Sequence, residues 1–401
     1  MSARSALLAR SFSSIGHLFA HLLMLLYPTV VLALEGSFGL TYGELLTLST
    51  PGFVLFGIAA LPAGWLGDRW SAERMMVLFF LGTGGGAIAT GFANGPWGLA
   101  AGLSLIGLFG SIYHPVGIAW LVRNAENRGR ALGWNGVFGS LGIGIAALVA
   151  GALTEWLGWR AAFVVPGALC VATGLALMLC MRSGTVVAAT EDRKPEPAVT
   201  RADVIRVFVV LSVAMLFTGV LGQVLQVAMP KLFAERLPAL TQGGVLGAGG
   251  FVTLVFTASA AMQLAAGWLV DRFPQKPLYI LFFAVQAPIF LLSVALAEAP
   301  LVIAMMAVAM LGTMGGTAEN FILARFTPGK WRATAYGAKF VIALGVSAAG
   351  VPLVGWSYDR TGGFEALFVI LAALTAGTAV AAVFLPGNRP APVRVAPQPA
   401  E

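Results

Sequence analysis

Apolar residues run through this chain in long stretches, and charged residues collect in the short gaps between them. A helix that crosses a bilayer needs about 20 consecutive apolar residues. Twelve stretches reach that length, at 14–34, 44–66, 75–93, 97–121, 131–153, 161–181, 207–229, 244–268, 277–297, 300–324, 333–355 and 364–385. They predict twelve transmembrane helices, numbered here α1 to α12 in chain order. Arg4 and Arg10 ahead of the first stretch faintly suggest a secretory signal. No small-residue cleavage site follows, so the stretch is taken as a membrane helix.

The longest polar gap carries the run Glu191-Asp192-Arg193-Lys194-Pro195-Glu196-Pro197, whose charge and proline suit a solvated linker. It divides the chain into a six-helix bundle at 1–181, a linker at 182–206 and a second six-helix bundle at 207–385. A proline-rich tail at 386–401 is expected to be disordered.

The two halves repeat each other. Gly64-Trp65-Leu66-Gly67-Asp68-Arg69 closes α2, and Gly267-Trp268-Leu269-Val270-Asp271-Arg272 closes α8. Pro28 and Pro230, and the pairs Arg130-Ala131 and Arg332-Ala333, recur at nearly the same offset. A parallel duplication of this kind places a substrate near the membrane midplane, between the halves.

Composition agrees with the pattern. Hydrophobic residues make up 58% of the chain and charged residues 10%, against about 25% charged in soluble domains. The net charge of +7 would suit a nucleic-acid partner, but the basic residues sit at the ends of apolar stretches, where they set topology. With the N-terminus inside, nineteen of the 24 Lys and Arg lie on the cytoplasmic side and four (Arg160, Lys231, Arg236 and Arg360) on the other, with Lys339 inside a helix. Both termini are therefore expected in the cytoplasm. The two cysteines, Cys170 and Cys180, share one apolar stretch. Their spacing is about 15 Å along a helix, too far for a disulfide. Neither zinc nor redox chemistry is indicated.

Taken together, these residues resemble the major facilitator superfamily. The most specific element is Gly64-x-Leu66-x-Asp68-Arg69 with Arg74, echoed by Gly267-x-Leu269-x-Asp271-Arg272. Arg128-Gly129-Arg130-Ala131 before α5 and Gly158-Trp159-Arg160 before α6 are also typical of the family. Gly16-His17-Leu18, Tyr27-Pro28, the segment Gly107 to Pro115 and the segment Phe384 to Arg389 are similar to fosmidomycin-resistance-like exporters. The resemblance implies an all-α membrane fold of two pseudo-symmetric six-helix bundles, a monomer in a bacterial inner membrane, and a cavity lined by α1, α4, α7 and α10. Of the patterns associated with antiport, the α5 glycines remain at Gly133, Gly142 and Gly151. Ala146-Ala147 replaces the usual Gly-Pro pair, and Ile106 stands at the α4 arginine position.

Ionisable residues inside a membrane are costly and mark function by default. Here they are His17 and His21 on one face of α1, His114 on α4, Glu319 beside Asn320 on α10, and Lys339 on α11. Repeat alignment sets His21 opposite Gln223, with Gln226 three residues on, and His114 opposite Glu319. These eight residues are the candidates for substrate binding or proton coupling. A histidine can instead cap a neighbouring helix, and Glu319 and Lys339 can form a structural ion pair. Gly64, Asp68, Arg69, Gly267, Asp271 and Arg272 are candidate gating residues, since a carboxylate at a helix mouth can bond helix N-termini and arginines. Gly82 to Ala87 mimics a nucleotide fingerprint but sits in an apolar helix, where small residues serve packing. No Walker sequence, catalytic set or metal cluster is visible, and no cofactor is expected. The expected function is proton-coupled efflux of a small molecule by alternating access. Uptake of an organic anion or metabolite, and a non-transporting membrane sensor or assembly protein, remain open at this point.

Overall fold

The computed structural model describes residues 3–186, 201–242, 244–326 and 341–387. Every regular element among them is a helix. Ten helices are long and apolar enough to cross a membrane. They are α1 (Arg4–Leu34), α2 (Tyr42–Arg69), α4 (Pro96–Arg123), α5 (Arg130–Leu157), α6 (Ala161–Arg182), α7 (Ile205–Arg236), α8 (Val245–Arg272), α9 (Gln275–Ser293), α10 (Glu298–Leu323) and α12 (Glu365–Val383). The twelve-helix pattern is completed by α3 (Ala72–Gly91) and by α11. The latter is described from a π-helical segment (Val341–Val346) into Gly350–Thr361. The run Glu191 to Pro197, Lys339 and the tail from Asn388 lie outside the described residues. The helix of α7 starts at Arg201, so the last residues assigned to the linker are its first turns.

Proline shapes the helices near the middle of the molecule. It lacks the N–H that continues the hydrogen-bond ladder and crowds the preceding turn. The helix of α1 breaks after Leu25 and resumes at Tyr27-Pro28. In α2 a break precedes Thr50-Pro51. In α4, Pro115 lies within a π-helical turn, Tyr113–Gly117. Helix starts are capped where the chain enters from solvent. Thr41 and Glu44 form a capping box at α2, and Asn127 accepts from Arg130 N at α5.

The two halves pack alike. Within the first, α3 lies on α6, and within the second, the repeat-related α9 lies on α12. Across the halves, α5 packs on α8 and α2 on α11. α1 is enclosed, with 72% of its apolar window buried against 28% for α8, so α1 supplies interior walls while much of α8 is left uncovered by protein. The repeated motif closes both helices in one way: Arg69 stacks over Trp65 at 4.1 Å and Arg272 over Trp268 at 4.4 Å.

Candidate functional site

Between the halves lies a cavity of two lobes, about 300 and 210 Å³, that share Thr218, Gly219, Gly222, Gln226 and Ala343. Its larger lobe is walled by α5, α7, α8, α9, α10 and α11, and its smaller lobe by α1, α2, α7 and α11. Sequence reasoning named α1, α4, α7 and α10. The structure brings α1, α7 and α10 to the cavity, adds α2, α5, α8, α9 and α11, and keeps α4 one layer behind.

Glu319 on α10 lines the larger lobe and is buried, where its carboxylate accepts a hydrogen bond from the Tyr279 hydroxyl on α9 at 2.9 Å. Amides and hydroxyls supply most of the other polar surface. Gln263 on α8 donates to Ser140 Oγ on α5 at 2.7 Å, which links the two halves across the lobe. Gln286 Nε2 donates to the Phe282 carbonyl, leaving Oε1 without a partner among the described residues. Gln223 Nε2 is likewise without one. Ile143, Leu225, Phe256 and Phe283 form the apolar remainder.

His21, Gln223 and Gln226 line the smaller lobe, so the repeat-related pair His21 and Gln223, one from each half, reach the same lobe. The other repeat-related pair does not meet. His114 packs in the first half against His21 (5.3 Å between ring centroids), His17 (5.6 Å) and Phe56 (5.5 Å). His17 lies behind the cavity wall, stacked on Tyr113 at 4.8 Å and bonded through Nδ1 to the Asn135 carbonyl at 2.8 Å. Asn320 is exposed and stands outside the cavity lining.

At the end of the bundle away from the arginine-rich helix termini, the halves are locked together. Lys231 at the end of α7 bonds Glu35 after α1 at 2.7 Å and Glu235 one turn on at 3.2 Å. Its ammonium also lies over the rings of Tyr42 and Tyr358, at 5.5 and 5.4 Å. The Tyr358 hydroxyl donates to Glu235. Asp359 on α11 accepts from Thr41 Oγ1 at 2.6 Å and from Gly43 N at 3.1 Å, so its charge sits at the N-terminus of α2. Backbones close up beside these bonds: a Cβ on Gly43 would stand 2.6 Å from the Gly355 carbonyl oxygen. Glu155 in the last turn of α5 accepts from Leu246 N at the start of α8, at 3.1 Å.

The ion pair between described residues at the arginine-rich end stays within one half. Asp68 meets Arg123 on α4 at 3.4 Å, with 76% of the Asp68 side chain exposed. Gly64 lets α2 lie against Pro115, where an added Cβ would stand 3.1 Å from the proline ring. Asp271 makes no hydrogen bond or ion pair among the described residues, and nothing packs within reach of a Cβ on Gly267. The far-end lock escaped sequence reasoning because its residues read as loop charges. Gln263, Gln286 and Tyr279 were also missed, although a glutamine inside an apolar run is a costly residue and a legible signal.

Comparison with known proteins follows the same lines. A 147-residue segment is 33% identical to the "Probable 4-methylmuconolactone transporter" of Cupriavidus pinatubonensis, over 35% of this chain and 34% of that protein. Another match of 147 residues is 29% identical to the "Membrane sensor protein UhpC" of Salmonella typhimurium, over 36% of this chain and 32% of that protein. The chain thus aligns with about a third of the length of these relatives. In fold it is similar to a bacterial homologue of the human lysosomal transporter Spinster in an inward-facing, unoccupied conformation, with a TM-score of 0.73 at 17% identity over 96% of this chain and 95% of that one. It is also similar to the peptide transporter POT in complex with sulfate, with a TM-score of 0.75 at 15% identity over 95% of this chain and 93% of that one. The family model described as Major Facilitator Superfamily matches residues 13–256 and 211–401. With twelve helices, a repeated half and a cavity between the halves, the chain belongs to the major facilitator superfamily.

Proposed function

We propose that this transporter exports a small, hydrogen-bonding amphiphile in exchange for protons, from a state in which the cavity faces the cytoplasm. The observation that carries the reading is the cavity between two halves whose bonds to each other, among the described residues, gather at one end apart from the Gln263–Ser140 bond in the larger lobe. The Lys231 and Asp359 contacts close the far end, which leaves the arginine-rich end as the route in. The distribution of Lys and Arg supports a cytoplasmic location for that end in a bacterial inner membrane, with the chain acting as a monomer. A membrane-impermeant thiol reagent that labels a C-terminal cysteine tag from outside intact cells would reverse this orientation.

The described walls carry amides, hydroxyls, aromatic rings and the Glu319 carboxylate, and no Lys or Arg. Such a surface favours neutral or cationic amphiphiles over organic anions. Resemblance of α1 and α4 to fosmidomycin-resistance-like exporters supports efflux. Glu319 and His21 face the cavity and can each carry a proton, with Tyr279 holding the Glu319 carboxylate and His114 packed against His21. Proton release to one side and uptake from the other follow if the halves rock about the cavity. The test is substrate flux in proteoliposomes with an imposed pH gradient, for wild type and for His21→Ala, His114→Ala and Glu319→Gln. The expected result is gradient-driven flux that falls at least tenfold in Glu319→Gln. Flux that ignores the gradient in the wild type removes proton coupling, and an equal response in all three variants places it elsewhere.

A second reading, a sensor that binds without transport, is supported by the 29% identity to UhpC. Saturable ligand binding to the purified protein with no flux in proteoliposomes selects it.

A further inference from the structure

We propose that His17, His21 and His114 form a binding site for a divalent transition-metal ion of the zinc class. These are all the histidines of the chain, and one ring nitrogen from each lies within 4.8 Å of the others. Two helices bring them together. His17 and His21 are one turn apart on α1, so both leave the same face. His114 comes from the π-helical turn of α4, a local rewinding that re-aims side chains and recurs at functional sites.

His17 is held as a ligating imidazole is usually held. Its Nδ1 faces the Asn135 carbonyl at 2.8 Å. A carbonyl only accepts, so Nδ1 carries the hydrogen and Nε2 keeps its lone pair for a metal. A ligating histidine characteristically donates its second ring nitrogen to a carbonyl or carboxylate in this way. The ring face is fixed as well. Tyr113 stacks on one side at 4.8 Å with 20° between planes, and Gly139 leaves room on the other. A Cβ there would stand 2.6 Å from Nε2 and 2.7 Å from Nδ1. With Cε1 closer still, such a Cβ would sit over the ring face rather than at the ring edge. Asn135 also fixes Tyr113, its Nδ2 donating to the phenol oxygen at 2.8 Å.

Zinc–imidazole bonds of about 2.0–2.1 Å in tetrahedral geometry set nitrogens about 3.4 Å apart. The widest pair must therefore approach by about 1.4 Å, a shift within reach of side-chain rotation. Three imidazoles suit zinc, cobalt, nickel or copper and reject magnesium and calcium, which take oxygen ligands. His21 lines the smaller lobe, so the ion has a route from the cavity, and the fourth coordination position is left to water or to an oxygen of a bound molecule. The ordinary alternative is a purely aromatic packing cluster, which binds no metal.

The test uses the full chain, purified in detergent with its affinity tag removed, and the metal alone. Titration with Co²⁺ is expected to give the visible d–d bands of tetrahedral cobalt at one ion per chain, displaced by Zn²⁺. His17→Gln and His114→Gln are expected to weaken binding at least 100-fold. Asn135→Ala, which removes the side chain that fixes Tyr113 but not the carbonyl that fixes His17, is expected to weaken it about tenfold. Cys180→Ser, outside the cluster, should leave it unchanged. Size-exclusion profiles and far-ultraviolet dichroism confirm that the variants fold. If a histidine variant fails to fold, X-ray absorption of the zinc-loaded wild type decides. Three imidazoles support the site, and fewer than three overturn it. Absence of cobalt bands in the wild type, or bands unchanged in folded His17→Gln and His114→Gln, also overturns it. None of these readings involves flux, so the site stands or falls apart from the proposed transport.

Discussion

Charged contacts of similar appearance differ here by how much water they keep. Lys231 has 12% of its side chain exposed and bridges the two halves, whereas the Asp68 carboxylate is 76% exposed and pairs within one half. Exposed pairs contribute about 0–1 kcal/mol, and hydrogen bonds to charged groups with less water contribute about 1.5–3. Lys231→Met is therefore expected to shift the balance between closed and open far ends by about 1–3 kcal/mol, roughly 5- to 150-fold. A cysteine introduced at Ser347, in the smaller lobe, should then react faster with an impermeant thiol reagent applied from the far side. Asp68→Asn should leave that reactivity and the melting temperature near wild type while slowing turnover. Equal reactivity in Lys231→Met and wild type would remove Lys231 from the lock. At this scale the sequence was informative where a residue is expensive in lipid: His21, Gln223, Gln226 and Glu319 all reach the cavity. It was silent on Lys231, Glu35 and Asp359, whose roles come from meeting across the halves, at sequence separations of 196 and 318 for the pairs Lys231–Glu35 and Thr41–Asp359.

Helices were legible in the sequence because the bilayer imposes their length, whereas their breaks and rewinding near Pro28, Pro51 and Pro115 emerge from the structure. Less legible was which helix face meets which, because a run apolar on all sides carries no stripe to read. The contact of α2 with α11 depends on backbone proximity, and a Cβ on Gly355 would stand 2.8 Å from Gly43 Cα. Backbone atoms cannot move aside as a flexible side chain can, and overpacking of this kind costs about 1–3 kcal/mol. In this fold the cost is avoided if the far end opens. Gly355→Ala is therefore expected to fold, to raise far-side labelling of the Ser347→Cys reporter, and to slow flux by about tenfold. A variant that shows wild-type labelling and flux would mean that α2 and α11 tolerate separation without consequence for the cycle.

For the molecule as a whole, the repeated halves and the membrane class were plain from the chain, while the state of the cavity was not. State depends on a balance between two sets of inter-half contacts, and sequence lists the contacts of every state at once. Here the bonds of Lys231, Asp359 and Glu155 hold one end shut, and α2 and α8 end at the other in exposed Trp65 and Trp268. Alternating access requires that the shut end open during each cycle, so a covalent bond across it must stop transport. Thr41 and Asp359 are suited to this, since their side chains touch at 2.6 Å across the halves. A Thr41→Cys, Asp359→Cys pair, built with Cys170 and Cys180 replaced by serine, is expected to form a disulfide under mild oxidation. Its flux in proteoliposomes should fall to background when oxidised and return to at least half the reduced level after dithiothreitol. Each single-cysteine variant should be indifferent to oxidation, which separates a lock from damage. Crosslinking in high yield with undiminished flux would show that substrate crosses without the far end parting, and alternating access about this seal would have to be abandoned.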